Sequence, residues 1–203
     1  MTSIEHITLE VADPAAAETF YTDVLGLGAW VRVRASDAPT TGFRGFTLSL
    51  VVSQPANVDA LVDAALAAGA TIVKPAEKSL FGYGGVVRAP DGTVVTVASP
   101  SKKNTAPAST EIDDIVLQLG VADVAAAKRH YVAGGFTVGR SFGSRYVEFK
   151  APARTVKMSL LKRKALAKAA GVPVDGTGSH RVVIGGGAPG ADPDGFVWEA
   201  ASA

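Results

Sequence analysis

The sequence predicts an α+β protein built as a duplication, and three observations carry that reading. The stretch "IEHITLEVADPAAAETFYTDVLGLG" near the start returns after residue 110 as "IDDIVLQLGVADVAAAKRHYVAGGF". In the middle, "TGFRGFTLSLVV" is paralleled by "TGSHRVVIGG". Each half then closes on a PDG turn and a short apolar strand, "APDGTVVTVAS" and "ADPDGFVWEAAS". A unit of strand, helix and further strands covers only one face of its sheet with its own helix, so the other face must meet a partner or a ligand.

Taken in order, period-two alternation predicts strands from Ile4 to Val11 and from Ile112 to Leu119. Asp13 and Asp123 stand where helix N-caps are needed, with Pro14 at the favourable first helical position. Phe20, Tyr21, Val24 and Leu25 supply an apolar side to the first helix, and Gly26 and Gly134 offer stops. A further helix over "NVDALVDAALAAG" takes Asn57 as its cap and Gly69 as its stop. The second half lacks that helix between Gly187 and Asp192 and instead carries "LLKRKALAKAAG" before its middle strand. Polar "SKKNTAPAST", residues 101–110, reads as a linker between a first module, 1–100, and a second, 111–203.

Alternation also sorts the faces. If Ile7, Leu9 and Val11 face the helix, then His6, Thr8 and Glu10 face a cleft, and Asp114, Val116 and Gln118 likewise oppose Ile115, Leu117 and Leu119.

Composition narrows the function classes. A net charge of +1 gives no electrostatic case for nucleic acid or an anionic membrane as partner. The absence of cysteine excludes disulfides, thiolate metal sites and cysteine nucleophiles. "MTSIEHITLE" has charges where a signal peptide needs an apolar stretch, and no run approaches the ~20 apolar residues of a membrane span, so a cytoplasmic protein is expected.

The ordered, duplicated stretches resemble the vicinal oxygen chelate superfamily, which includes glyoxalase I, bleomycin-resistance proteins, methylmalonyl-CoA epimerase and extradiol dioxygenases. The resemblance runs from "IEHITLEVADPAAAETFYTDVLGL" through "GFRGFTLSLVVSQPANVDALVDAALAAGATIVKPAEKSLFGYGGVVRAPDG" to "ADPDGFVWEAAS". It implies two tandem βαβββ modules forming an open barrel-like sheet around a cleft. In metal-dependent members, it further implies, each module gives one ligand from its first strand and one from the strand after the PDG-type turn. Here those positions are His6, Thr96, Asp114 and Glu199. His6, Asp114 and Glu199 are thus the candidate ligands of one divalent ion (Fe, Mn, Ni, Zn or Mg), with Thr96 a weak neutral group.

Two carboxylates would cancel the charge of such an ion and weaken it as a Lewis acid, so binding is better supported than activation. Without an ion, two close carboxylates would share a proton that can be donated to a ligand carbonyl. Thr8, Glu10, Thr96, Gln118, His180 and Trp198 are candidate ligand contacts; no residue is singled out as catalytic. Trp30, Phe43, Phe46, Phe81, Tyr83 and Trp198 are candidates for an aromatic wall. The expectation is a protein, monomer or homodimer, that holds a small organic molecule in the inter-module cleft with a degenerate or absent metal site. The alternative is a metal-dependent lyase, isomerase, epimerase or ring-cleaving dioxygenase acting on vicinal oxygens. Whether the chain is an enzyme stays open at this point.

Overall fold

A computed structural model describes residues 2–201. The first half runs β1 (His6–Val11), α1 (Pro14–Glu18) continuing into a π-helical turn (Thr19–Val24), β2 (Val31–Ala35), β3 (Thr40–Gly42), β4 (Phe46–Val51), α2 (Pro55–Ala67), β5 (Thr71–Ser79), β6 (Gly82–Arg88) and β7 (Val94–Ser99). The second half runs β8 (Asp114–Val121), α3 (Val124–Ala133), β9 (Val138–Phe142), β10 (Tyr146–Phe149), β11 (Lys157–Lys162), α4 (Arg163–Ala170), β12 (Gly176–Gly178), β13 (Val182–Gly185), β14 (Gly190–Ala191) and β15 (Val197–Glu199).

The caps form as their chemistry requires. Asp13 accepts from the Ala16 amide, and Asp123 accepts from those of Ala125 and Ala126, closing the first turns of α1 and α3. The start of α2 differs from expectation: it begins at Pro55, with Gln54 in the cap position and Asn57 buried inside the helix. Pro55 has no N–H to lose and a φ already suited to a first helical residue, so it sets the start. Gln54 and Asn57 instead hold down the linker. The Gln54 amide donates to the carbonyls of Ala106 and Pro107, and Asn57 Oδ1 accepts from the Ser109 amide at 3.0 Å.

The protein is α+β with open sheets. An eight-stranded sheet has the order β5-β6-β7-β4-β8-β11-β10-β9, and a five-stranded sheet the order β14-β15-β13-β1-β2. In the large sheet β4 lies parallel to β7, β8 lies parallel to β11, and the two groups meet along an antiparallel β4·β8 seam. Phe46–Ser99 and Asp114–Lys162 are therefore complete βαβββ units joined edge to edge. The small sheet repeats the plan in shortened form, with β1 parallel to β2, β13 parallel to β15, and an antiparallel β1·β13 seam. Both central seams join the first half of the sequence to the second within one chain.

One apolar core lies between the sheets. Ile7 and Leu9 of β1, Leu48 of β4, Leu117 of β8 and Ile184 of β13 all enter it, together with Leu61 of α2 and Tyr131 of α3. Alternation then forces His6, Thr8 and Glu10 onto the outer face of the small sheet, and Asp114 and Gln118 onto that of the large sheet. The helix traded into the second half, α4, covers part of the large sheet's outer face. Leu166, Ala167 and Ala170 pack there on Phe43, Val86 and Val94. Gly120 permits that approach, since a Cβ on it would come within 3.0 Å of the Arg163 Cα.

The duplication also repeats a buried latch. Tyr21 donates its hydroxyl to Asp91 at 2.6 Å, and Tyr131, its equivalent in the second helix, donates to Asp192 beside the second PDG turn. Burial first, and the neighbouring carboxylate second, push both phenols above the ordinary tyrosine range. The folded state therefore keeps protons that the unfolded chain releases above a phenol pKa of about 10, so stability is full below that pH and falls as pH rises past it. Tyr131→Phe is expected to flatten this alkaline fall in the urea midpoint; an unchanged slope would count against the latch.

Candidate functional site

The outer face of the small sheet is set by register. Thr8 pairs with Arg32 and Glu10 with Arg34 between β1 and β2. His6 pairs with Gly185 across the seam, and Gly185 pairs with Glu199 of β15. His6, Glu10, Arg32, Arg34 and Glu199 thereby gather on one face. Arg34 bridges the two carboxylates, donating to Glu199 at 2.8 Å and to Glu10 at 2.9 Å. These bonds raise the guanidinium's already high pKa. The two arginines were not singled out from sequence, although "VRVRA" carries the signal, an apolar–basic alternation that puts both cations on one side of a strand.

His6 is buried against Gly185, whose missing Cβ would lie 2.2 Å from the ring. Its Nε2 faces Arg32 Nη1 at 3.3 Å. A guanidinium can only donate, so Nε2 is the acceptor and Nδ1 carries the proton. Burial, reinforced by Arg32, lowers the imidazole pKa and favours the neutral ring. Beside this face, a cavity of about 290 Å³ is bounded by Glu10, Arg34, His180, Val183 and Val197.

The remaining sequence candidates lie elsewhere or serve packing. Asp114 is on the large sheet, paired with Lys157 Nζ at 2.6 Å, so His6, Asp114 and Glu199 do not converge. The reason lies in the seams: β1 pairs with β13, whereas β8 pairs with β4, which sends the two first strands of the duplication to different sheets. Gln118 is on the same face as Asp114 and accepts from Thr47 Oγ1 at 3.0 Å. Thr96 borders a cavity of about 220 Å³ beneath the end of α4. Thr8 is on the His6 face and buried.

His180 contacts the carbonyls of Arg44 and Asp194 and stacks on Phe196, with ring centroids 4.1 Å apart. Trp198 points into the core against Tyr131 and Phe136, because a strand cannot show neighbouring residues 198 and 199 on one face. The other wall candidates do not gather in one place, although Phe81 and Tyr83 both border the cavity beside Thr96. Phe46 is core, Phe43 lies under α4, Phe81 is 87% exposed, Trp30 donates to the Arg154 carbonyl and Tyr83 donates to Asp59.

This donor set does not suit a divalent ion. The His6 lone pair meets one guanidinium, and Glu10 and Glu199 already hold another, so an ion would have to displace Arg34 from both carboxylates and sit near Arg32. Among the described residues, no group of three or more His, Asp or Glu is placed to hold a metal. No helix among them is long and apolar enough to cross a membrane.

No family model matches the sequence, and no curated protein matches it. Solved structures do. Two variants of glyoxalase I from Zea mays superpose with TM-scores of 0.62 and 0.61 at 15% and 14% identity, each covering 98% of this chain and 92% and 93% of its own. A glyoxalase/bleomycin resistance protein/dioxygenase family enzyme from Burkholderia phytofirmans aligns with 48% of this chain and 98% of its own, at 22% identity and a TM-score of 0.44. With full-length overlap and paired βαβββ units both in hand, the chain has the fold of the vicinal oxygen chelate superfamily.

Proposed function

We propose that the protein binds a small organic molecule at the β1·β13 seam, on the outer face of the small sheet, without a divalent ion. The observation that carries this is Arg34. Its guanidinium occupies the space between Glu10 and Glu199, where a resident cation would neutralise those same carboxylates. The guanidinium can hydrogen-bond a ligand carbonyl or carboxylate, and the neighbouring valines of the 290 Å³ cavity offer an apolar surface for the rest of the molecule. Both strands of the seam belong to one chain, which supports a site that needs no second copy.

Two measurements test the reading. Protein purified without chelator is expected to carry far less than one equivalent of divalent metal, and chelator is expected to leave its Tm unchanged. Compounds found by thermal-shift screening are expected to lose their effect in Val183→Trp, which fills the cavity, and to weaken about tenfold in Arg34→Ala through loss of a charge-assisted bond. Near-stoichiometric metal that disappears in Glu199→Ala would overturn the metal-free assignment.

A further inference from the structure

A cavity of about 480 Å³, larger than the 290 Å³ one beside Arg34, lies away from the small sheet's outer face. It lies between the first helix and the 90–92 turn, with Ala16, Phe20, Ala68 and Pro90 as apolar wall and Arg44 and Arg181 as its cations. Its size and mixed lining are those of a small-molecule site.

Three features show that the cavity is built rather than left over. The first helix widens into a π turn, with the Leu25 amide donating to the Phe20 carbonyl at 3.1 Å. This brings consecutive residues Phe20 and Tyr21 inward, and π turns concentrate at functional sites. Second, the polar floor is locked: Asp91 accepts from Tyr21 and from Thr93 Oγ1 at 2.6 Å each, and from Arg44 at 3.3 Å. Third, Arg181 has φ of 54°, a left-handed conformation that is costly for a residue with a side chain.

The charges differ in kind. Asp13 is engaged as the N-cap, and Asp91 is matched by Arg44. Arg181 bonds only to backbone, with Nη1 donating to the Ser36 carbonyl at 2.8 Å and Nε and Nη2 donating to that of Ala38. Among the described residues no carboxylate pairs with it. Three of the five N–H groups of a guanidinium are used, which leaves two for a ligand.

We infer that this cavity is a second binding site, separate from the Arg34 face, and that it takes a small carboxylic acid with a compact aromatic or branched apolar body. The carboxylate meets the free donors of Arg181, and the apolar body lies along Ala16, Phe20 and Pro90. This site does not depend on the metal-free reading of the small sheet.

Isothermal titration with phenylacetate, its neutral analogue phenylacetamide, benzoate and 3-methylbutanoate tests it. Phenylacetate is expected to bind the native protein at least about tenfold more tightly than phenylacetamide, the size of a charge-assisted bond. Arg181→Gln is expected to abolish that preference. Ala16→Phe, at an exposed helix position that tolerates the larger side chain, is expected to remove binding of both, while Lys164→Ala, an exposed position of α4 that borders neither cavity, matches the native protein. Should Arg181→Gln fail to fold, Ala16→Phe against Lys164→Ala still decides. Phenylacetate binding that survives Ala16→Phe or is lost in Lys164→Ala overturns the inference, as does no binding by any of the three acids.

Discussion

Asp91→Ala is expected to lower the unfolding free energy by about 3–5 kcal/mol, the cost of stranding a buried charge. The magnitude follows from what one carboxylate holds. Its side chain is 9% exposed and that of its partner Arg44 is 12% exposed, so water cannot replace the lost contact. The Tyr21 hydroxyl and Thr93 would lose their acceptor at the same time. Asp91→Asn keeps an acceptor of the same shape and is expected to lose less, which separates the charge from the hydrogen bonds. Urea unfolding with linear extrapolation measures both. A loss in Asp91→Ala below about 1 kcal/mol, the scale of an exposed ion pair, would refute the buried-network account.

Leu166→Ala carries the second large effect, about 2–5 kcal/mol for emptying a buried leucine site. Leu166 is 2% exposed and is the largest α4 side chain seated on the large sheet. Its small cluster is separate from the core between the sheets, so the loss is expected to loosen α4 and uncover Val86 and Val94 while the sheets stay paired. Greater binding of a hydrophobic dye with unchanged far-ultraviolet circular dichroism is the expected signature. Loss of the strand signal would show that α4 is integral to the sheet rather than a cover on it.

Local chemistry was legible in the sequence. Alternation in "HITLEV" and "DIVLQLGV" assigned the buried and outer faces, because a strand's period of two is fixed by its own backbone. Asp13 and Asp123 announced the helix starts because a cap bonds amides only two or three residues ahead of it. What could not be read was which strand lies beside which. The four positions matched by the duplication divide between the sheets, His6 and Glu199 on one, Thr96 and Asp114 on the other. No local pattern specifies a pairing between residues so far apart in the chain. Arg34 eluded the reading because its importance rests on a neighbour 165 positions away. Trp198 and Glu199 were both site candidates, and alternation puts the two on opposite faces, Trp198 on the side of Tyr131 and Phe136.

The seams also impose an order on how the protein can assemble. The large sheet draws on one continuous stretch, from β4 to β11, so all its strands are available before β13 and β15 are synthesised. The small sheet cannot close until β13 and β15 emerge from the ribosome, because β1 needs β13 along its free edge. Such long-range closure is slow, and the waiting edge of β1 is exposed to wrong partners in the meantime. β1 is thus made long before the strand that completes its pairing. The Glu10, Arg34 and Glu199 bridge does not exist until Glu199, 165 positions after Arg34, has been made.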